Sequence, residues 1–164
     1  MTARPSDLFE AFRQDHAVLG RGLQEISEHL RSGDLPAAKA CGERLDRVAG
    51  AHIAFEEEFF YPFLRRLIGD AEVNRLYREH GHGLSVVTAL ETLAKGARPS
   101  ETERRTMLQN SELMEAHVAE CGELFGAIGR IPLEEQEALY RELLALREKA
   151  PRWSELAAQA KPGK

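Results

Sequence analysis

His52 and Glu56 stand four residues apart in the run Ala51-His52-Ile53-Ala54-Phe55-Glu56-Glu57-Glu58-Phe59-Phe60-Tyr61-Pro62. On an α-helix four residues advance about one turn, so the imidazole and the carboxylate rise from one face among bulky apolar neighbours. Inward polar groups must find partners, and nitrogen and oxygen donors together suit a transition metal. Three further histidines, His16, His80 and His117, fall at core positions of other helical stripes. Burying four imidazoles and a carboxylate without a cation costs roughly 1–3 kcal/mol per unsatisfied group. A metal removes that cost by taking the lone pairs directly. His29 and His82 fall off the stripes and are expected in solvent, although Gly81 and Gly83 leave room for a bent turn beside His82.

The chain also echoes itself. Ala51-His52-Ile53-Ala54-Phe55-Glu56 aligns with Ala116-His117-Val118-Ala119-Glu120-Cys121, and the histidines coincide. Cys121 stands where Glu56 stands. Next to His117 it reads either as an activated thiolate or as a small buried core residue. Other chemistries find little support: there is no Gly-rich phosphate loop and no nucleophile elbow. The Glu57-Glu58 pair reads as a solvated face. A carboxylate di-iron oxidase bundle needs two inward Glu-x-x-His pairs. The one pair with that spacing, Glu79 and His82, lies off the stripe.

The elements that must position these residues are helices, because apolar positions recur every three or four residues and strand alternation is absent. A first helix is expected from Ser6 or Asp7, either of which can act as cap, with the stripe Leu8, Phe12, His16, Leu19, Leu23, Ile26, Leu30. A second runs from about Leu35 to Leu67, with Leu45, Val48, His52, Glu56, Phe59, Phe63 and Leu67 inward and a kink at Pro62. A third spans about Ala71 to Lys95. A fourth opens on the capping-box spacing Ser100-Glu101-Thr102-Glu103 and runs to about Gly129. A fifth, Glu134 to about Lys149, stops at Pro151. Trp153 and Leu156 anchor a last turn, and the tail from Ala160 frays. The expected fold is all-α: an up-down-up-down four-helix bundle with a short C-terminal helix added, residues 1–150, followed by a C-terminal turn and tail, residues 151–164. A chain of 164 residues with net charge −5 and mixed signs offers no basic patch for nucleic acid. It has no apolar run of membrane length and no secretory signal at its N-terminus, and two cysteines do not make a disulfide framework. A reduced, cytoplasmic protein is expected.

These pieces, in this order, resemble the hemerythrin-like, or HHE cation-binding, domains. The matching segments are Gln14-Asp15-His16-Ala17-Val18-Leu19, the run from His52 to Pro62, Arg78-Glu79-His80 and Ala116-His117, within residues 6–130. The resemblance implies a four-helix bundle around a non-haem di-iron centre. His16, His52, His80 and His117 would be ligands and Glu56 a bridge between the irons. It further implies reversible oxygen binding, oxygen or nitric-oxide sensing, peroxide-related chemistry or iron handling. The chain departs from oxygen-carrying members in two places. Leu84 stands where they have another histidine. Cys121 and Gly122 stand where they have a second bridging carboxylate. Glu120 or Cys121 is left to fill that role.

The leading expectation is therefore a metal-binding bundle for dioxygen, another small diatomic or a peroxide, with binding or sensing expected ahead of turnover. Iron is expected, as two ions, while one iron or a zinc also suits the donor set. The rival reading is a degenerate bundle that serves a protein partner or a regulatory role without a working metal.

Overall fold

The computed structural model describes residues 5–158, and every described element is helical. Helix α1 spans Pro5–Ser32 and α2 spans Leu35–Phe55. A π-helical turn, Glu56–Phe60, joins α2 to α3, Tyr61–Ile68. Then follow α4, Asp70–Thr92; α5, Glu101–Glu123; the one-turn α6, Phe125–Ile128; α7, Leu133–Lys149; and α8, Trp153–Ala158. None of these helices is long and apolar enough to cross a membrane.

Local chemistry sets most of the boundaries. Gly33 takes φ +78° after α1, and Asp34 accepts a hydrogen bond from the Ala37 amide at 3.1 Å to start α2. Ser100 and Glu103 form the reciprocal capping box at the start of α5. α1 begins at Pro5, which puts Asp7 within its first turn. The expected frayed tail from Ala160 lies outside the described residues.

α1 packs against α2 and α5, and α4 against the same two helices. The interior divides into two apolar clusters. One contains Leu8, Phe12, Phe55, Phe60, Leu64 and Leu76; the other contains Leu19, Leu23, Ile26, Leu45, Leu90 and Met107. Each of the four long helices contributes to both clusters, and each carries one histidine where its two contributions meet: His16, His52, His80 or His117. A polar layer is thus sandwiched between two apolar ones.

Two stripe residues do not face the core. Val48 and Leu67 are exposed, at 55% and 45%. Asp46 takes the inward position near Val48 instead, and the π turn shifts the helical register before Leu67. Pro62, where a kink is expected, falls in the first turn of α3, where its missing N–H costs least. The Phe55–Phe60 region is interior: Phe55 and Phe60 are buried and Phe59 packs partly against them.

α7 crosses α1 and α2, burying Leu143 and Leu146. α8 docks on α2 and α4. The buried Asp46 carboxylate accepts the Ser154 amide at 2.7 Å and the Ser154 hydroxyl at 2.9 Å. Two glycines admit the C-terminal segment: a Cβ at Gly50 would overlap the Pro151 carbonyl, and one at Gly83 would overlap the Trp153 ring and Met114. Of the two glycines flanking His82, Gly83 is thus a point of close approach, whereas Gly81 faces open space.

Candidate metal centre

Regular helix geometry aims His52 and Glu56 together, four residues apart on α2 and its continuation. The π turn then adds a third group. Its i→i+5 bond, from the Tyr61 amide to the Glu56 carbonyl, brings residues five apart onto one face. The Tyr61 hydroxyl consequently lies 3.3 Å from Glu56 Oε2, 2.8 Å from His80 Nε2 and 3.4 Å from His117 Nε2.

Glu56 is the hub, at 1% exposure. Its Oε1 lies 3.3 Å from His52 Nε2 and 3.7 Å from His16 Nε2; its Oε2 lies 3.1 Å from His80 Nε2. Candidate donor atoms of Glu56, His80 and His117 fall within 4.8 Å of one another, and so do those of His16, Glu56 and Cys121. Cys121 Sγ sits 3.4 Å from His117 Nε2.

Every one of the four imidazoles is held from outside by its other nitrogen. His16 Nδ1 meets the Phe12 carbonyl at 2.9 Å, His52 Nδ1 the Asp15 carboxylate at 3.0 Å, His80 Nδ1 the Glu57 carboxylate at 3.0 Å, and His117 Nδ1 the Glu79 carboxylate at 2.8 Å. An ionised carboxylate or a carbonyl only accepts, so each Nδ1 carries the proton and each Nε2 directs a lone pair inward. Arginines anchor the acids in turn: Arg147 of α7 reaches Asp15 at 2.8 Å, and Arg75 binds Glu79 and Glu120.

This arrangement leaves acceptors facing acceptors. Three Nε2 lone pairs approach the Glu56 carboxylate closely enough to repel unless a proton or a cation lies between. Among the described residues, His52 Nε2 and Glu56 Oε1 are buried side-chain atoms with no hydrogen-bond partner, because their 3.3 Å approach is not aligned for one. Without metal, protons carry the balance. Burial disfavours charge on His52, but Glu56 and Asp15 outweigh it and raise its pKa to about 9. Burial and then the neighbouring His52 lower that of His16 to about 4. Glu56 remains ionised: burial opposes its charge, but His52 and His80 hold it well below the usual carboxylate range. Burial, followed by the Glu56 charge, raises both the Tyr61 hydroxyl and the Cys121 thiol far above their ordinary values. A buried, pre-oriented set of imidazole nitrogens around one carboxylate, with orphaned lone pairs, fits a transition-metal ion.

The structure brings His16, His52, Glu56, His80, His117 and Cys121 into one cluster. It does not bring in Glu120. That carboxylate lies 2.7 and 3.0 Å from Arg75 on the bundle exterior, because three residues after His117 the helix has turned it toward α4. Cys121, one turn after His117, points inward and is 1% exposed. His29 and His82 are half-buried and outside the cluster, with His82 Nδ1 3.2 Å from Asn110. Leu84 instead lines a cavity of about 280 Å3 next to His80, together with Glu57, Trp153 and Leu156.

Sequence reasoning missed Tyr61 and the outer acids Asp15, Glu57 and Glu79. A signal existed for the acids: each directly neighbours a stripe histidine or Glu56 in sequence. Asp15 and Glu79 nevertheless each serve a histidine other than their sequence neighbour, and Glu57, beside Glu56, reaches His80.

No curated protein and no solved structure matches the chain significantly. The sequence does match the description Hemerythrin HHE cation binding domain over residues 7–127, a stretch that contains all four histidines, Glu56 and Cys121. With most of its length so matched and its four inward histidines gathered around one glutamate, the chain belongs to the hemerythrin HHE cation-binding family.

Proposed function

We propose that this protein holds a dinuclear non-haem metal centre, with iron as the metal, and binds or senses dioxygen, another small diatomic or a peroxide. The observation that carries the reading is the convergence of four Nδ1-anchored imidazoles on the two oxygens of Glu56. His16 and His52 would serve one metal position with Oε1, His80 and His117 the other with Oε2. Glu56 would bridge them. The order in which each long helix meets the two apolar clusters supports an up-down-up-down bundle as the host. Bound iron would supply a redox-active centre with coordination positions left over for a small molecule.

The chain's own residues perform the remaining tasks. Asp15, Glu57 and Glu79 fix tautomer and ring orientation, which raises ligand basicity. The apolar clusters on either side exclude bulk water. The Tyr61 hydroxyl is a hydrogen-bond donor held at the interior end of the site. Two unpaired buried cysteines, Cys41 and Cys121, support a reducing, cytoplasmic setting.

The test is metal analysis of protein grown with iron, alongside the double variant His52→Ala/Glu56→Ala. About two irons per chain are expected in the parent protein, with an optical charge-transfer band that changes on exposure to air. Undiminished metal in the double variant refutes the assignment.

A further inference from the structure

A buried thiol lies among the donors of the candidate centre. Cys121 Sγ lies 3.4 Å from His117 Nε2, a donor of the His80 side. It also falls within 4.8 Å of His16 Nε2 and a Glu56 oxygen, donors of the His52 side. Among the described residues Glu56 is the side chain shared by the two donor groups, and Cys121 belongs to the His16 group while its sulfur also contacts His117 of the other. From α5 the sulfur thus lies beside donors of both histidine pairs, as Glu56 does from the π turn.

Among the described residues, no acid besides Glu56 falls in a donor group with the site's histidines. Glu120, three residues after His117, is held outside by Arg75, and Glu115, two residues before it, takes the Ser27 hydroxyl. The carboxylate grouped with Cys121 is that of Glu56, whose buried Oε1 lacks a hydrogen-bond partner, as does His52 Nε2 3.3 Å away. The other cysteine, Cys41, belongs to the distant apolar cluster, where it sits 3.0 Å from Arg44 and 3.6 Å from Glu25.

We propose that Cys121 is a bridging thiolate ligand, making the centre a carboxylate- and thiolate-bridged pair instead of a purely nitrogen and oxygen one. The proposal rests on the metal-centre reading above. On loading, the thiol proton leaves to solvent as the sulfur–metal bonds form, because the thiolate is the ligand form. One sulfur donor softens the site: it favours ions that accept thiolate, such as iron, cobalt and zinc, and disfavours manganese and magnesium.

The experiment loads the chelator-stripped full chain with Co2+ and follows the near-ultraviolet thiolate-to-cobalt charge-transfer band against equivalents added. The parent protein and Cys41→Ser should show the band growing through about two equivalents. Cys121→Ser should lose the band and bind the second equivalent about 10–100-fold more weakly, on the scale of losing a metal-site group. Cys121→Asp should recover two equivalents without the band, which separates loss of the ligand from loss of the fold.

Cobalt bound by the parent without any such band overturns the thiolate and leaves the histidine–glutamate centre standing. A band complete at the first equivalent, with Cys121→Ser still taking two, overturns the bridge. No cobalt bound by the parent at all overturns the metal-centre reading on which the proposal rests.

Discussion

Asp15→Ala tests whether the outer acids tune the site or only decorate it. Asp15 is the sole acceptor on His52 Nδ1 at 3.0 Å, and its second oxygen takes Arg147 at 2.8 Å. Its carboxyl is held below the usual range: burial opposes the charge, and His52 and then Arg147 outweigh burial. Removing it frees the His52 ring to adopt the other tautomer, which places a proton on the nitrogen that faces Glu56. Metal affinity should fall about 10–100-fold, or about 1.4–2.7 kcal/mol. The stability of the metal-free fold should fall less. The side chain is 24% exposed, so a charge-assisted hydrogen bond here is discounted to about 1–2 kcal/mol. For a chain of this size that lowers Tm by about 2–8 °C. The assays are competition titration against a coloured chelator and thermal melts of the stripped protein. Arg147→Met, which leaves Asp15 in place, should shift affinity by no more than about threefold, on the scale of an exposed ion pair. An Asp15→Ala protein that melts lower yet keeps parental metal affinity refutes the reasoning, since Asp15 would then be holding α7 to α1 and nothing more.

Three other outcomes follow from the same geometry. Stability of the metal-free protein should peak near pH 6.5. His52, raised to about 9, stabilises the fold below its unfolded value of about 6.5 and loses that contribution as pH climbs through 9. His16, lowered to about 4, resists protonation in the fold, so stability falls as pH drops from 6.5 through 4; urea midpoints across pH 4–10 check both limbs, and a flat profile above pH 7 contradicts the first. Tyr61→Phe should destabilise the metal-free protein by about 1–3 kcal/mol, more than the loaded form, because the lost hydroxyl bridges His80 and Glu56 only where no cation does; paired melts with and without metal decide it. Gly83→Ala should cost about 1–3 kcal/mol by driving a methyl into the Trp153 ring and Met114, with a red shift of the single tryptophan's emission, whereas Gly81→Ala, facing open space, should be neutral or gain up to about 1 kcal/mol.

Periodicity made the helices and the inward histidines legible. An apolar residue every three or four positions can bury only one face, and a histidine set in that face must go inside with it. The Ser100–Glu103 box was equally legible, because it acts within a single turn of chain. Helical spacing misjudged the stretch after Glu56. Regular α-geometry carries the stripe on to Phe63 and Leu67, whereas the π turn shifts the register and turns Tyr61 to the site instead. No local residue type announces such a turn; packing of Phe55, Phe60 and Tyr61 against neighbouring helices accompanies it.

By itself, then, the order of residues determined which imidazoles and which carboxylate are forced into the interior, and that a cysteine follows His117 by one turn. These are properties of single helices and follow from one period. Which donors meet was decided by tertiary structure. Glu120 and Cys121 are one residue and about 100° apart on α5, and it is Arg75 on α4 that draws the first outward while the second faces His16 and Glu56. Asp15 orients a histidine on α2 and Glu79 one on α5, while α7 and α8 close around the bundle through Arg147, Asp46 and the two glycines. Such pairings join residues far apart in the chain, so they exist only once the helices have been brought side by side.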